Sequence, residues 1–204
     1  MLCVDIHTHR HDGCAATLHT AGIHPWQADE CDIADAAALA ARLGSDPRQR
    51  LDSAQAIGET GLDRACTAPV AAQERLFRAH LELAVRRQLP VVVHCVRAFE
   101  QTMKILGEYR LPAVIFHGFI GSPEQALRAV GCGYRLSFGV RSMRSPRTVA
   151  AMRAVPAASI FLETDDDPAP IAEVYDMAAS LLGCSVTALE EQMYENYKRL
   201  IQNG

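Results

Sequence analysis

Long hydrophobic runs and lysine are scarce in this chain of 204 residues. No apolar segment approaches the ~20 residues of a membrane-spanning helix, and residues 1–5 lack the basic, apolar start of a secretory signal. Lysine occurs only at Lys104 and Lys198, and the net charge is −4. Such a charge argues against a protein that holds nucleic acid mainly by bulk electrostatics, but it allows a local grip on phosphate. We expect a cytoplasmic protein that makes no membrane contact.

Paired cysteine motifs are also missing. The seven cysteines are odd in number and scattered, and none follows the Cys-x-x-Cys spacing. This distribution favours neither a disulfide framework nor a structural zinc knuckle. The hydrophobic fraction of 49% and the charged fraction of 22% are typical of a globular protein. The length predicts one domain over residues 1–204.

What the chain does contain is an alternation of short apolar runs and helical patterns. Seven runs have the composition of buried strands, namely 2–7, 20–24, 55–59, 90–94, 113–117, 134–138 and 159–164. Helical spacing of apolar residues lies between most of them, over 32–43, 70–87, 98–109 and 123–130, and a last helix is predicted over 186–201. The alternation predicts parallel β/α units, either a doubly wound sheet or a closed barrel.

Five of the predicted strands end on a histidine or an acid. Because parallel strands end on one side of their sheet, these side chains are expected to converge. The residues are His7, His9, Glu59, His94, His117 and Asp165. Four imidazoles and two carboxylates predict a site for divalent metal ions.

The residue types fit a centre of two ions. Neutral imidazoles complete the coordination without cancelling the positive charge that acidifies a water molecule, and they favour Zn²⁺ or Mn²⁺ over Mg²⁺. Glu59 has two oxygens and can bridge two ions, whereas a histidine cannot. His7 and His9 point to the same face of an extended chain, and so does Asp5, which is expected to fix an imidazole tautomer.

Residues near these strand ends are candidates for other roles. His24 precedes Pro25 and either reaches the site or packs a turn. Arg97 lies three residues after His94, where a phosphodiester would meet its guanidinium. These two residues are the predicted substrate contacts. Three histidines without a strand-end position, His11, His19 and His80, are expected on the surface or in loops.

Ordered sequence blocks resemble the TatD family of metal-dependent hydrolases over nearly the whole chain. The blocks are Asp5-Ile6-His7-Thr8-His9, Gly22-Ile23-His24-Pro25, Ile57-Gly58-Glu59-Thr60-Gly61-Leu62-Asp63, residues 90–98, Phe116-His117-Gly118-Phe119-Ile120-Gly121, Leu136-Ser137-Phe138-Gly139 and Leu162-Glu163-Thr164-Asp165. The resemblance implies a TIM-like (β/α) barrel of the amidohydrolase superfamily, whose members include TatD-type deoxyribonucleases and D-aminoacyl-tRNA deacylases.

The same resemblance implies roles for the predicted ligands. Asp165 would bind the first ion and handle the proton of the attacking water, and Glu59 would bridge both ions, so these two carboxylates are the predicted catalytic groups. The implied ligand pairs are His7 with His9 at the first ion and His94 with His117 at the second.

Two departures from the family pattern stand out. Only residues 10–19 separate the first two blocks, so one β/α unit is missing and the predicted barrel is seven-stranded or distorted. A gap there would open the site to a larger substrate or be covered by a partner subunit, such as a second copy in a homo-oligomer. Trp26 stands where the family often has histidine, and its ring either stacks on a base or packs at the barrel mouth.

These observations predict a metal-dependent hydrolase that cleaves phosphodiester bonds at DNA or RNA ends by means of two ions of Zn²⁺, Mn²⁺ or Mg²⁺. An alternative uses the same site on an ester or amide, such as a D-aminoacyl-tRNA or a cyclic amide, because an activated water attacks carbon and phosphorus alike. A second alternative is a scaffold that has lost catalysis.

Overall fold

The computed structural model describes residues 3–10 and 15–202, so His11 and Cys14 lie outside the described residues. The chain forms two compact units. The first unit contains the described residues up to Leu18 and those from Phe116 onward, and the second contains residues 19–115. In the described ranges, no helix combines the length and apolarity needed to cross a membrane.

Strands and helices alternate along the described chain. The strands are β1 (Cys3–Val4), β2 (Ala15–Ala16), β3 (Thr20–Ala21), β4 (Ala56–Asp63), β5 (Val91–Val96), β6 (Val114–Phe116), β7 (Arg135–Phe138) and β8 (Ile160–Leu162). The helices are α1 (Ala36–Gly44), α2 (Val70–Arg87), α3 (Phe99–Leu106), α4 (Pro123–Gly131), α5 (Val140–Met143), α6 (Pro146–Ala154), α7 (Ile171–Leu182) and α8 (Val186–Gln202).

The first unit is built on parallel pairing between β7 and β8 and between β1 and β2. The chain that continues β1 joins the end of β8, because the Ile6 amide donates to the Leu162 carbonyl at 3.0 Å. Thr8 and Asp165 then form a parallel bridge. The residues that follow β1 and those that follow β8 therefore lie side by side.

Side chains of helices α7 and α8 bind the backbone of β1 and of the residues where β8 begins. Tyr175 of α7 is fully buried, and its hydroxyl accepts from the Val4 amide at 3.1 Å and donates to the Val4 carbonyl at 3.0 Å. Asn196 of α8 donates to the carbonyls of Ala157 and Ile160, both at 2.8 Å. These side chains satisfy backbone groups that would otherwise be buried without partners.

The second unit places β4 between β3 and β5, with both pairs parallel, and β6 is the next neighbour of β5. All eight residues of β4 are buried. Helix α2 packs on β4 and also contacts α1. Its buried face includes Leu76, Phe77, Leu81 and Leu83, in the helical spacing that the sequence predicts.

Strand β4 contains an irregularity at the residues that matter most for the site. Ile57 pairs with Val91 and Thr60 pairs with Val93, so β4 has one more residue here than β5. Such a bulge re-aims the side chains around it. Gly58 lies in the bulge at φ +147°, and a Cβ there would lie 2.6 Å from the Val92 carbonyl oxygen, so only glycine fits.

The sequence predictions of the elements agree with the structure at most positions. Each of the seven predicted strands overlaps an observed strand, although β4 and β5 extend past their predicted ends at 59 and 94, and α2 has the predicted bounds of 70–87. Helices α5, α6 and α7 fall outside every predicted helix. Strand β2 was also missed, because residues 10–19 were expected to carry no element. Two alanines form this strand, and their small side chains give no alternation that would identify it. None of the six described cysteines forms a disulfide bond with another described cysteine.

Removal of one hydroxyl tests the role of Tyr175. We expect Tyr175→Phe to lower the free energy of unfolding by about 1–3 kcal/mol, because the buried amide and carbonyl of Val4 lose their partner. Urea denaturation followed by circular dichroism measures this change. The matched control is Tyr194→Phe in α8, a half-buried tyrosine, for which a change below about 0.5 kcal/mol is expected. Equal losses in both variants would contradict this assignment.

Candidate metal centre

Four predicted ligands lie together in the first unit, and we call them the first cluster: His7, His9, His117 and Asp165. The ring centroids of His7 and His117 are 4.7 Å apart, and those of His7 and His9 are 5.2 Å apart. Asp165 Oδ1 lies 3.4 Å from His9 Nε2 and 3.8 Å from His7 Nε2. Ligand atoms of His7, His117 and Asp165 all lie within 4.8 Å of one another.

Backbone pairing fixes Asp165 beside the two histidines. Its amide donates to the His7 carbonyl at 3.0 Å, and its carbonyl accepts from the His9 amide at 3.1 Å. Asp165 adopts φ 54°, a left-handed conformation that aspartate tolerates better than most residues. The turn after β8 therefore places the Asp165 carboxylate next to His7 and His9, which follow β1.

Glu163, a carboxylate that the sequence did not single out as a site residue, lies behind His117. It is 1% exposed, and its Oε1 accepts from the Gly118 amide at 2.5 Å and lies 3.7 Å from His117 Nδ1. The hydroxyl of Ser137 donates to its other oxygen. A carboxylate next to an imidazole ligand fixes its ring orientation and raises its basicity.

Asp5 takes a different role from the one predicted. Its carboxylate accepts from the amide of Thr164 at 2.9 Å and from the hydroxyl of Thr164 at 2.7 Å, and no described contact joins it to an imidazole nitrogen by a hydrogen bond. Burial raises the pKa of Asp5 to about 6, against the opposing effect of the Thr164 hydrogen bonds. The expectation that Asp5 fixes a histidine tautomer is wrong, because Asp5 instead ties β1 to the turn that carries Asp165.

The second cluster lies in the second unit and consists of His24, Glu59 and His94. Glu59 Oε1 lies 2.8 Å from His94 Nδ1 and 3.2 Å from His24 Nε2. The ring centroids of the two histidines are 4.6 Å apart. Ligand atoms of these three residues also lie within 4.8 Å of one another. The other nitrogen of His24, Nδ1, accepts from the Trp26 amide at 3.2 Å, which turns Nε2 toward Glu59.

Asp63 is a further buried carboxylate of the second unit. Its Oδ2 lies 3.1 Å from His94 Nε2 and accepts from the indole nitrogen of Trp26 at 2.7 Å. Its Oδ1 accepts from the Ala65 amide at 2.7 Å. Burial raises the pKa of Asp63, but these hydrogen bonds outweigh burial and lower it. Asp63 is therefore a stable anion that orients His94 with Nδ1 facing Glu59.

His80 supports the second cluster from within α2. It is fully buried, its Nδ1 donates to the Leu76 carbonyl at 2.8 Å, and its Nε2 accepts from the Ile23 amide at 2.9 Å. These two bonds require the neutral ring. Burial lowers the pKa of His80 to about 4. The expectation that His80 has a surface or loop role is wrong, because it anchors the segment that carries His24.

His117 lies in a candidate ligand group with His7 and Asp165. The pairing of His117 with His94 that the resemblance implies stays a prediction. His24, predicted as a substrate contact, belongs to a group of metal-ligand geometry. Arg97 is exposed at the end of β5 at φ 53°.

Both clusters fit divalent cations by their donor chemistry. Each combines imidazole nitrogens with a carboxylate oxygen at mutual distances that one ion can span, and such mixed sets bind Zn²⁺, Mn²⁺ and similar ions. Asp63 lies within hydrogen-bond distance of His94, and Glu163 lies 3.7 Å from His117. A carboxylate in such a position can serve as the outer partner of a histidine that binds a metal.

Comparison with known proteins places the chain in a family. The family model described as TatD related DNase matches residues 5–202, so the chain belongs to that family. A solved structure of YjjV, a TatD homolog from Escherichia coli K12, matches with a TM-score of 0.77 and 27% identity over 90% of this chain and 76% of that one. This similarity confirms the predicted TIM-like (β/α) fold class.

Two relatives show the range of names in the family. A protein of Escherichia coli strain K12 named an uncharacterized metal-dependent hydrolase, YjjV, is 36% identical over 57% of this chain and 46% of its own length. A protein of Erwinia billingiae named 3′-5′ ssDNA/RNA exonuclease TatD is 30% identical over 90% of this chain and 77% of its own. The chain thus spans about half the length of relatives such as YjjV.

The buried His80 gives a prediction for stability against pH. Its folded pKa of about 4 lies below the ordinary value of 6.5, so the folded state binds fewer protons than the unfolded state. The stability that neutral His80 provides is complete above pH 6.5 and is lost as the pH falls toward 4, by about 2–3 kcal/mol.

Urea unfolding at several pH values between these limits measures this loss. The variant His80→Gln keeps a donor and an acceptor but cannot be protonated, so we expect its stability to fall less steeply with pH. Identical slopes for the variant and the original protein would show that His80 is not the titrating group.

Proposed function

We propose that this protein is a metal-dependent hydrolase that cleaves phosphodiester bonds at single-stranded DNA or RNA ends. The observation that carries the proposal is the pair of imidazole and carboxylate clusters, one in each unit, each with the donor set of a divalent cation. The name of the Erwinia billingiae relative, a 3′-5′ ssDNA/RNA exonuclease, supports the choice of substrate.

The number of ions is part of the proposal. We assign one ion to each cluster, hence two per chain, of Zn²⁺, Mn²⁺ or Mg²⁺. Glu59 would be the carboxylate ligand of the second cluster, where its Oε1 faces both imidazoles. Bound divalent ions polarise a phosphoryl oxygen and lower the pKa of a water molecule. His24 would act as a ligand in the second cluster, because its Nε2 faces Glu59.

Asp165 is the group proposed to accept the proton of the attacking water. Its backbone is fixed on both sides by hydrogen bonds to the His7 and His9 segment, so Oδ1 is held near their imidazoles. Its side chain is about a quarter exposed, which leaves it open to solvent water. A carboxylate with this position and access can act as a general base.

Arg97 is proposed to contact a phosphate of the substrate. It directly follows the strand that carries His94, and its side chain is exposed. Among the described residues, no carboxylate forms a salt bridge with Arg97. A guanidinium in this state can bind phosphate oxygens in a bidentate manner.

The substitution Asp165→Asn tests the proton acceptor. We expect it to lower kcat on a single-stranded oligonucleotide by about 10²–10⁴-fold, because the amide cannot accept the proton. Activity would be measured with Mg²⁺, Mn²⁺ and Zn²⁺ on oligonucleotides, aryl phosphodiesters and acyl-tRNA. Undiminished nuclease activity in the variant would point to a contaminant, and turnover of acyl-tRNA alone would favour the ester hydrolase.

Metal content supplies the control for that experiment. Elemental analysis should find two ions per chain in the original protein and about one in His94→Ala. The matched variant His19→Gln replaces a histidine outside both clusters and should keep both ions. A chain that binds no divalent metal would overturn the proposal in favour of a scaffold.

Replacement of Arg97 tests the phosphate contact separately. We expect Arg97→Ala to raise KM about tenfold on an oligonucleotide. The slope of log KM against log salt concentration should also fall by about 1, because one fewer counterion is released on binding. Arg97→Lys should restore part of the affinity, because it keeps the charge but not the guanidinium fork. The control Arg86→Ala removes an exposed arginine of α2 that pairs with Glu82. An equal effect of both alanine variants would contradict a specific role for Arg97.

A further inference from the structure

Trp26 is an exposed aromatic residue next to a metal-ligand cluster. It is the only tryptophan of the sequence, and 59% of its surface is exposed. It lies in the short 3-10 turn Pro25–Gln27, which directly follows His24. Exposing such a large apolar ring to water is unfavourable, so the exposed position of Trp26 needs an explanation.

The indole is fixed through its one polar atom. Nε1 donates to Asp63 Oδ2 at 2.7 Å, and that same oxygen lies 3.1 Å from His94 Nε2. Asp63 is 3% exposed, and its own conformation is held by the amide of Ala65. The ring is therefore oriented by the carboxylate that also orients a predicted metal ligand.

Two imidazoles of the second cluster lie against the indole. The ring centroids of His24 and Trp26 are 4.7 Å apart with planes at 84°, and those of His94 and Trp26 are 6.3 Å apart with planes at 81°. Nearly perpendicular packing limits rotation of the indole plane. The rest of the ring faces solvent as a rigid surface beside the second cluster.

We propose that the exposed face of Trp26 stacks against a nucleobase next to the scissile phosphodiester. This inference rests on the proposed function, and it names the part of the substrate that this surface recognises. An aromatic side chain stacks on any base and adds binding free energy with little sequence preference. Because the ring is already held by Asp63, little conformational entropy is lost when a base binds.

A purely structural role for Trp26 predicts different behaviour. In that case the indole would serve only to orient Asp63 and thereby His94, and its loss would affect all substrates alike. A stacking role predicts an effect that depends on the presence of a base in the substrate. The two roles can be separated by comparing substrates with and without a base.

Binding without turnover gives the first test. Because Trp26 is the only tryptophan, its fluorescence reports directly on contacts with a base. The metal-loaded protein is titrated with a short oligothymidylate whose phosphorothioate linkages slow cleavage, and with a matched abasic phosphorothioate oligomer. We expect saturable quenching by oligothymidylate, with an affinity about tenfold higher than that of the abasic oligomer. No quenching by either oligomer, or equal quenching by both, would overturn the stacking role.

Kinetics give the second test. Trp26→Ala should raise KM about tenfold on oligothymidylate and leave KM on the abasic oligomer nearly unchanged, whereas Trp26→Phe should recover part of the affinity. Leu127→Ala in α4 is the matched control, because it removes an exposed apolar side chain from another element. A loss of equal size on both substrates in Trp26→Ala would assign the indole a structural role only.

The two proposals fail in different ways. If the metal-loaded protein cleaves no oligonucleotide, the proposed function is wrong, and the fluorescence titration still decides whether Trp26 stacks on a base. If the protein cleaves both oligomers but does not distinguish them, the proposed function stands and the stacking role is wrong.

Discussion

Buried carboxylates that hydrogen bonds hold beside imidazoles are the constraint on which both clusters depend. Removing a carboxylate from water is costly unless hydrogen bonds replace the lost hydration. Glu163 receives the Gly118 amide and the Ser137 hydroxyl, and Asp63 receives the Trp26 indole and the Ala65 amide. These donors hold each carboxylate beside a histidine ring. At His94, the hydrogen bond to Asp63 uses Nε2 and leaves Nδ1 facing Glu59.

The same hydrogen bonds explain why the clusters lie at the ends of strands. A backbone amide that leaves the sheet has no further strand partner, so it is free to bind a side chain. The Thr164 amide uses this freedom to bind Asp5, and the Gly118 amide uses it to bind Glu163. The same carboxylates therefore do two things. They accept hydrogen bonds from backbone amides at the ends of strands, and they position the residues of the site.

The sequence predicts the strand-end residues because strand periodicity and residue chemistry are local. Glu59, His94 and Asp165 each follow or end an apolar run, and no tertiary information is needed to find them. His80 and Asp63 were not predicted in their roles, because their partners are distant in sequence: Ile23 for the first and Trp26 for the second. Strand β2 was missed for another reason, since two alanines carry no periodic signal.

Local charge, rather than net charge, decides what such a site can bind. The chain carries −4 overall, yet imidazole clusters loaded with cations, together with an exposed arginine at the end of β5, would attract a phosphodiester at close range. The exposed indole of Trp26 adds a second property that would select the substrate. A base inside a duplex has both faces covered by its neighbours, whereas a base at a single-stranded end has one face open to an indole. Stacking at Trp26 would therefore favour unpaired ends without any reading of base identity.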